Sequence, residues 1–200
     1  LGGRIEDGKL TFTLGPDRPA DYRFTSRVTG VTASLPDKGQ VIDSGLATID
    51  MDPTALQVTG SFRSGQANLG IEGRVSFATP RWSAVVDLTG PLAEAVRLIP
   101  PQPELDIRGG AIEAHVTAGG VVGSTAPPDM AGRVVVREAS LKHTASAVPL
   151  ERFDITVQFD GDRARLDDGY VKAGGSEMWI DGTVENLKAP QANLVLVAKT

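Results

Sequence analysis

The feature that most constrains this chain is a hairpin written twice. In Ser176–Ala198, Met178, Ile180, Gly182 and Val184 share one parity, while Glu177, Asp181, Thr183 and Glu185 share the other. Ala67–Leu88 repeats the pattern: Leu69, Ile71, Gly73, Val75 and Phe77 alternate with Asn68, Gly70, Glu72, Arg74 and Ser76. Each copy turns at a proline, Pro80 or Pro190. Each then returns as a second alternating strand, Trp82-Ala84-Val86-Leu88 or Ala192-Leu194-Leu196-Ala198. Side chains of a strand point to opposite faces with period two, so each copy is a strand pair with one apolar and one wet side.

The same alternation runs along nearly the whole chain. It marks Leu10, Phe12 and Leu14, then Tyr22, Phe24 and Val28, with Val31–Leu35 resuming after Gly30. It marks Ala47, Ile49 and Met51, then Leu56, Val58, Gly60 and Phe62. Past the midpoint it marks Leu105 and Ile107, then Ile112, Ala114, Val116 and Ala118, followed by the β-branched run Arg133–Arg137. Phe153, Ile155, Val157 and Phe159 form the next set, ahead of Arg163–Asp167 and Tyr170–Ala173. Turn residues separate these runs: Pro16–Pro19, Pro36–Gly39, Asp52-Pro53, the loop Gly119–Met130, Asp160-Gly161-Asp162 and Asp168-Gly169. Gly90–Ile99 alone breaks the pattern. Leu92, Ala95, Val96 and Ile99 fall at helical spacing behind Pro91, and the stiff Pro100–Pro103 corner stops the run. The reading is all-β: roughly sixteen strands in consecutive hairpins, with one short amphipathic helix over 91–99. The organisation is a first β unit over 1–90, the helix and proline-rich turn over 91–103, and a second β unit over 104–200, in one continuous body.

A strand with one apolar face needs a cover for it: a second sheet, barrel closure, or something that is not this protein. An unclosed ribbon of so many strands twists and curls, which makes a trough with an apolar lining. Aromatics are only 5% of the chain, which suits a trough better than a packed sandwich, since sandwiches centre on large rings. The candidate lining is Leu10, Phe12, Phe24, Val28, Leu56, Val58, Phe62, Leu69, Ile71, Val75, Phe77, Trp82 and Val86 in the first half. In the second half it is Ile112, Val116, Val134, Val136, Phe153, Ile155, Val157, Phe159, Met178, Ile180, Val184, Leu194 and Leu196. Trp179, Val195 and Val197 are apolar residues on the wet parity. They are expected either to pack under a neighbouring repeat or the short helix, or to be scattered surface residues.

The chemistry-bearing residues are sparse. Acids and bases are interspersed around a net charge of −5, which argues against a phosphate-backbone partner and hence against nucleic acid. Cysteine is absent, so disulfides and thiolate metal sites are excluded. His115 and His143 read as solvent-facing residues without zinc-ligand spacing. Asp50, Asp52, Asp160 and Asp162 could ligate calcium, but turn roles fit them better, as the full calcium-loop motif is missing. Asp160, Asp162, Asp167 and Asp168 form an acidic group in sequence; paired carboxylates can cleave glycosides, but no aromatic sugar platform surrounds them and a hairpin end is the better reading. No catalytic residue, metal or cofactor is expected, and the chain reads as a non-enzyme. The apolar runs are too short for a membrane-spanning helix. The Leu-Gly-Gly opening reads as part of something longer.

Several phrases carry a family resemblance. Gly3-Arg4-Ile5, Gly8-Lys9-Leu10-Thr11-Phe12, Tyr22-Arg23-Phe24 and Val28–Leu35 resemble the inner-strand, glycine, facing-strand phrase of AsmA-like proteins. Gly90–Ile99 with Gly109-Gly110 is similar to a short helical insertion in the YhdP-type members. So are Gly132-Arg133-Val134, Ala139-Ser140-Leu141, Pro149-Leu150, Phe153-Asp154 and Gly182-Thr183-Val184. The resemblance implies a periplasmic envelope protein, anchored in the inner membrane by a segment outside this chain, with a repeating β-groove that shields phospholipid acyl chains. It implies phospholipid as the partner, proteins of either membrane at the groove ends, and a part in outer-membrane biogenesis. The alternative is a structural or assembly module with a sealed core, which docks partner strands such as those of outer-membrane proteins by edge β-augmentation.

Overall fold

A computed structural model describes residues 1–15, 18–35, 39–99, 104–126, 128–146, 148–187 and 189–199. The strands are β1 (Gly2–Gly15), β2 (Arg18–Leu35), β3 (Gly39–Ile42), β4 (Ser44–Met51), β5 (Ala55–Ser64), β6 (Ala67–Ser76) and β7 (Arg81–Pro91). After a helical turn α1 (Leu92–Ala95) and a 3-10 turn (Val96–Leu98) come β8 (Leu105–Val121), β9 (Asp129–His143) and β10 (Leu150–Gly161). β11 (Arg163–Ala173), β12 (Ser176–Glu185) and β13 (Gln191–Lys199) complete the chain. They form one open antiparallel sheet in sequence order, with β3 as a side branch on β2. The doubled hairpin is β6–β7 and β12–β13, each in unbroken register. The corners expected at Pro100–Pro103 and, in part, at Pro16–Pro19, Pro36–Gly39 and Pro127-Pro128 lie outside the described residues.

The thirteen strands are fewer than the alternation predicts, because several breaks in it are bulges inside continuous strands. Asp168, in the left-handed region at φ 53, does not end β11, and the register shifts there between Leu166 and Gly169. A bulge opposes two residues to one and moves later side chains to the other face. So the apolar parity of β11 passes from Ala164 and Leu166 to Gly169 and Val171. The same flip occurs in β9 around Glu138 (φ 52), in β10 between Leu150 and Phe153, and in β8 between Ile107 and Ala111.

The sheet continues across the helical segment, since β7 pairs β8 from Arg81↔Val121 to Pro91↔Ala111. The helix is shorter than the expected 91–99. Leu92 and Ala95, three apart on one face, are buried. At the same end of the sheet, Val41 of β3 and the small apolar-parity residues Ser64 and Ala67 are buried too. Arg97 donates to the Gln40 carbonyl at 2.6 Å and pairs with Glu94 at 2.7 Å, tying the helical turn to β3.

Candidate functional site

Register pairing puts the apolar parity of every strand on one face. One row crosses the sheet from β1 to β13: Ile5, Val28, Ala47, Gly60, Ile71, Val86, Val116, Gly132, Phe159, Ala164, Val184 and Ala192, each opposite the next. A second row runs from β4 to β13 through Gly45, Phe62, Leu69, Leu88, Ala114, Val134, Val157, Leu166, Gly182 and Leu194. Neither row contains a charged or polar side chain. At about 4.8 Å per strand, the first row is roughly 50 Å long.

The candidate lining residues lie along this face, except Phe77, which sits just past the end of β6. None of them is buried. Leu10, Phe12, Phe77, Leu194 and Leu196 are exposed and the rest are half-buried, although such residues at the centre of a sandwich would be sealed. The accessible surface of 12708 Å² makes the same point, against about 9,000 Å² for a compact chain of this size. The apolar face is therefore uncovered along most of its length. Glycine shapes it locally. A Cβ on Gly60 or Gly45 would strike the ring of Phe62, so the two glycines make room for that ring.

The opposite face is wet, and the bulges create a hollow there. Across β8–β12, a concavity of about 1000 Å³ is lined by Ala111, Arg133, Val135, Arg137, Arg152, Asp154, Thr156, Tyr170 and Trp179, with the bulge residues Glu138 and Asp168 at its margin. Val135 is buried and forms part of the floor. Arg152 Nε donates to Asp154 Oδ2 at 2.6 Å, and its guanidinium carbon lies 5.6 Å from the centre of the Tyr170 ring. The hydrogen bond to Asp154 holds the Arg152 guanidinium above its ordinary pKa. Tyr170 meets Trp179 edge-on at 5.6 Å. Burial, and then a hydrogen bond with Glu177, raises the Tyr170 phenol above its ordinary value.

The structure removes one of the places open to Trp179 and separates the acidic residues, two of which keep the turn role expected of them. Trp179 does not pack under the short helix; it stands against Tyr170, opposite Val197, while α1 packs on β7 and β8. The acid group also dissolves. Asp167 pairs with Arg165 at 2.6 Å and accepts from Gln158 at 3.0 Å. Asp160 and Asp162 stay at the β10–β11 turn, while Asp168 lines the hollow with Tyr170 and Trp179. An aromatic pair thus does stand beside one of these acids. No motif announces Arg133, Arg137, Arg152 and Tyr170 as neighbours; the signal in the sequence was Trp179, out of place on a wet parity.

The remaining candidates have local roles. His115 Nδ1 is 2.6 Å from Asp87 Oδ1, both exposed, and the half-buried His143 has Nε2 3.0 Å from the exposed Glu104. Asp50 pairs with Arg23 at 2.6 Å. Asp52 closes a turn by accepting from the Thr54 hydroxyl and the amides of Thr54 and Ala55, at 2.6 to 2.9 Å. Among the described residues no group of three or more histidines or acids could hold a metal ion, and no helix is long and apolar enough to cross a membrane. No protein-family model, curated protein or solved structure matches the chain.

Proposed function

We propose that this chain is a segment of an AsmA-like envelope protein whose apolar sheet face shields phospholipid acyl chains between the inner and outer membranes. The observation that carries this reading is the row from Ile5 to Ala192, which crosses the sheet without a polar member and without a cover. Each methylene moved from water onto such a face is worth about 0.8 kcal/mol. One acyl chain spans half of a hydrocarbon core about 30 Å thick, so it fills only part of a row roughly 50 Å long. No position along the row is chemically distinct from the next, so a chain can slide along it while its headgroup stays in water. The protein would act by solvation, with no bond made or broken, in the periplasm.

Native mass spectrometry of protein purified from bacterial periplasm or membranes tests this. Phospholipid adducts are expected on the parent. They should be lost in an Ile71→Asp/Val116→Asp double variant whose circular dichroism is unchanged, because both residues lie on the row and neither is buried. A lipid-free parent, or a variant that retains lipid, sinks the proposal.

One observation favours a second reading, strand docking. Among the described strands β13 pairs with β12 alone, and Leu194, Val195, Leu196 and Val197 expose apolar side chains on both of its faces. An edge of this kind accepts another strand by backbone hydrogen bonding.

A further inference from the structure

The hollow on the wet face has the parts of a ligand site, and the lipid reading leaves it unused. Its arginine and aromatic side chains belong to the wet parity, although Val136 and Ile155 of the apolar parity line it as well. Its existence follows from the bulges. Strands bend where an extra residue is inserted, and bulges at Glu138 in β9 and Asp168 in β11 flank the register shift in β10. The hollow gathers side chains from five strands around the buried Val135.

Two kinds of group converge. The first is aromatic. Trp179 is 37% exposed although it is the largest residue on this face. Its contact with Tyr170 is edge-on, so the two rings are not stacked face to face, and the Arg152 guanidinium lies over the Tyr170 ring. The second is cationic. Arg133 and Arg137 flank Val135 on one strand and point to the same face. Among the described residues Arg133 makes one long 3.5 Å contact, to the Thr156 hydroxyl. Arg137, which also lines the adjoining hollow beside Thr89 and Glu113, makes no ion pair among the described residues. Arg152 differs, being committed to Asp154.

An exposed aromatic ring takes a flat, weakly polar molecular surface. Two uncommitted guanidiniums take a carboxylate or phosphate with paired hydrogen bonds. Thr156 and the acids at the margin can meet hydroxyl groups. Among the described residues no second ring lies parallel to Trp179, so the hollow does not sandwich a nucleobase. The geometry points to a binding site for an acidic saccharide, one sugar ring stacking on Trp179 and its anionic substituent reaching Arg137 and Arg133. This inference is independent of the lipid reading, and either can fail alone.

Tryptophan emission of a Trp82→Phe protein, in which Trp179 is the sole reporter, tests the site directly. Trigalacturonate should shift that emission with saturation, and maltotriose and inorganic phosphate should not. Arg137→Gln should weaken trigalacturonate binding by about tenfold or more, the scale of one charge-assisted hydrogen bond. Trp179→Leu, followed by calorimetry, should abolish the heat of binding. If Trp82→Phe does not fold, calorimetry on the parent replaces fluorescence. The inference is overturned by an absence of binding at ~10 mM. Equal binding of maltotriose would remove the role of the arginines. Phosphate binding of the same strength would reduce the site to an anion site, and unchanged binding in Arg137→Gln would place the ligand elsewhere.

Discussion

The backbone amide of Glu138 donates to Asp154 Oδ1 at 2.5 Å, across the bulge between β9 and β10. One strand pair further on, the amide of Asp168 donates to Asp181 Oδ1 at 3.2 Å. In both places a carboxylate on the next strand accepts from the amide of the bulge residue that is itself in the left-handed region. Asp154 holds two groups at once, since its other oxygen takes Arg152.

Asp154→Ala should therefore destabilise the chain by about 1 kcal/mol, as it removes the acceptor of the exposed Glu138 amide and frees Arg152. Glu138→Gly should be neutral or slightly stabilising, because glycine removes the cost of a left-handed backbone. Urea unfolding midpoints of the two variants check the pair. Equal losses would mean that the bulge is held by something other than this hydrogen bond.

Glycines on the sheet separate into two classes by what surrounds them. A Cβ on Gly132 (φ 132) would run into the His115 carbonyl and, at 2.8 Å, the Cα of Val116, both backbone atoms that cannot step aside. Gly161 (φ 65), in the β10–β11 turn, has nothing within 4 Å. Gly132→Ala should cost at least about 3 kcal/mol and Gly161→Ala about 1 kcal/mol, the strain of the left-handed region alone. Denaturation of the two variants side by side would reveal the gap, and a cost for Gly132→Ala as small as that for Gly161→Ala would contradict this packing.

The apolar face was legible in the sequence because period two survives in any strand, whatever its neighbours. Ile71, Val86 and Val116 could be placed on one side before their strands were placed together. The wet-face hollow was not legible in the same way. Arg133, Arg152, Tyr170 and Trp179 lie on four strands, and the bulges at Glu138 and Asp168 invert parity between the residues that meet. Tyr170 shares its even number with the apolar Leu166, yet stands on the opposite face. The family resemblance rested on glycines and aliphatics. These specify where strands turn and which side is dry, and say nothing about what gathers on the wet side.

Acid sensitivity should have an identifiable part at Asp52. Its carboxyl is held below the usual carboxylate range by the Thr54 hydroxyl first, then by the Thr54 and Ala55 amides. A group whose folded pKa is lowered adds stability above its unfolded pKa and loses it as pH falls through the folded value. The contribution is thus complete at neutral pH and fades below about pH 4. Asp52→Asn keeps an oxygen acceptor for the turn but does not titrate, so its stability should fall less steeply than the parent's below that pH. Parallel slopes for the two proteins would remove Asp52 from the acid response.

The two copies of the hairpin differ in what lies beside them. Trp82, Ala84, Val86 and Leu88 of β7 are half-buried because β8 pairs alongside, whereas Leu194 and Leu196 of β13 are exposed because no described strand does. Val195 and Val197, 59% and 58% exposed, add apolar surface on the wet face of the same edge. An unpaired edge that is apolar on both faces is a template for another strand, and charged side chains are the usual protection against it. The chain should therefore associate as its concentration rises. Val195→Lys/Val197→Lys should suppress that association without changing the lipid adducts, since both residues lie opposite the apolar rows. Sedimentation velocity across a hundredfold range of concentration measures it. Association that persists in the lysine variant would move the contact away from β13, and loss of lipid in that variant would mean that the edge and the apolar face are not independent.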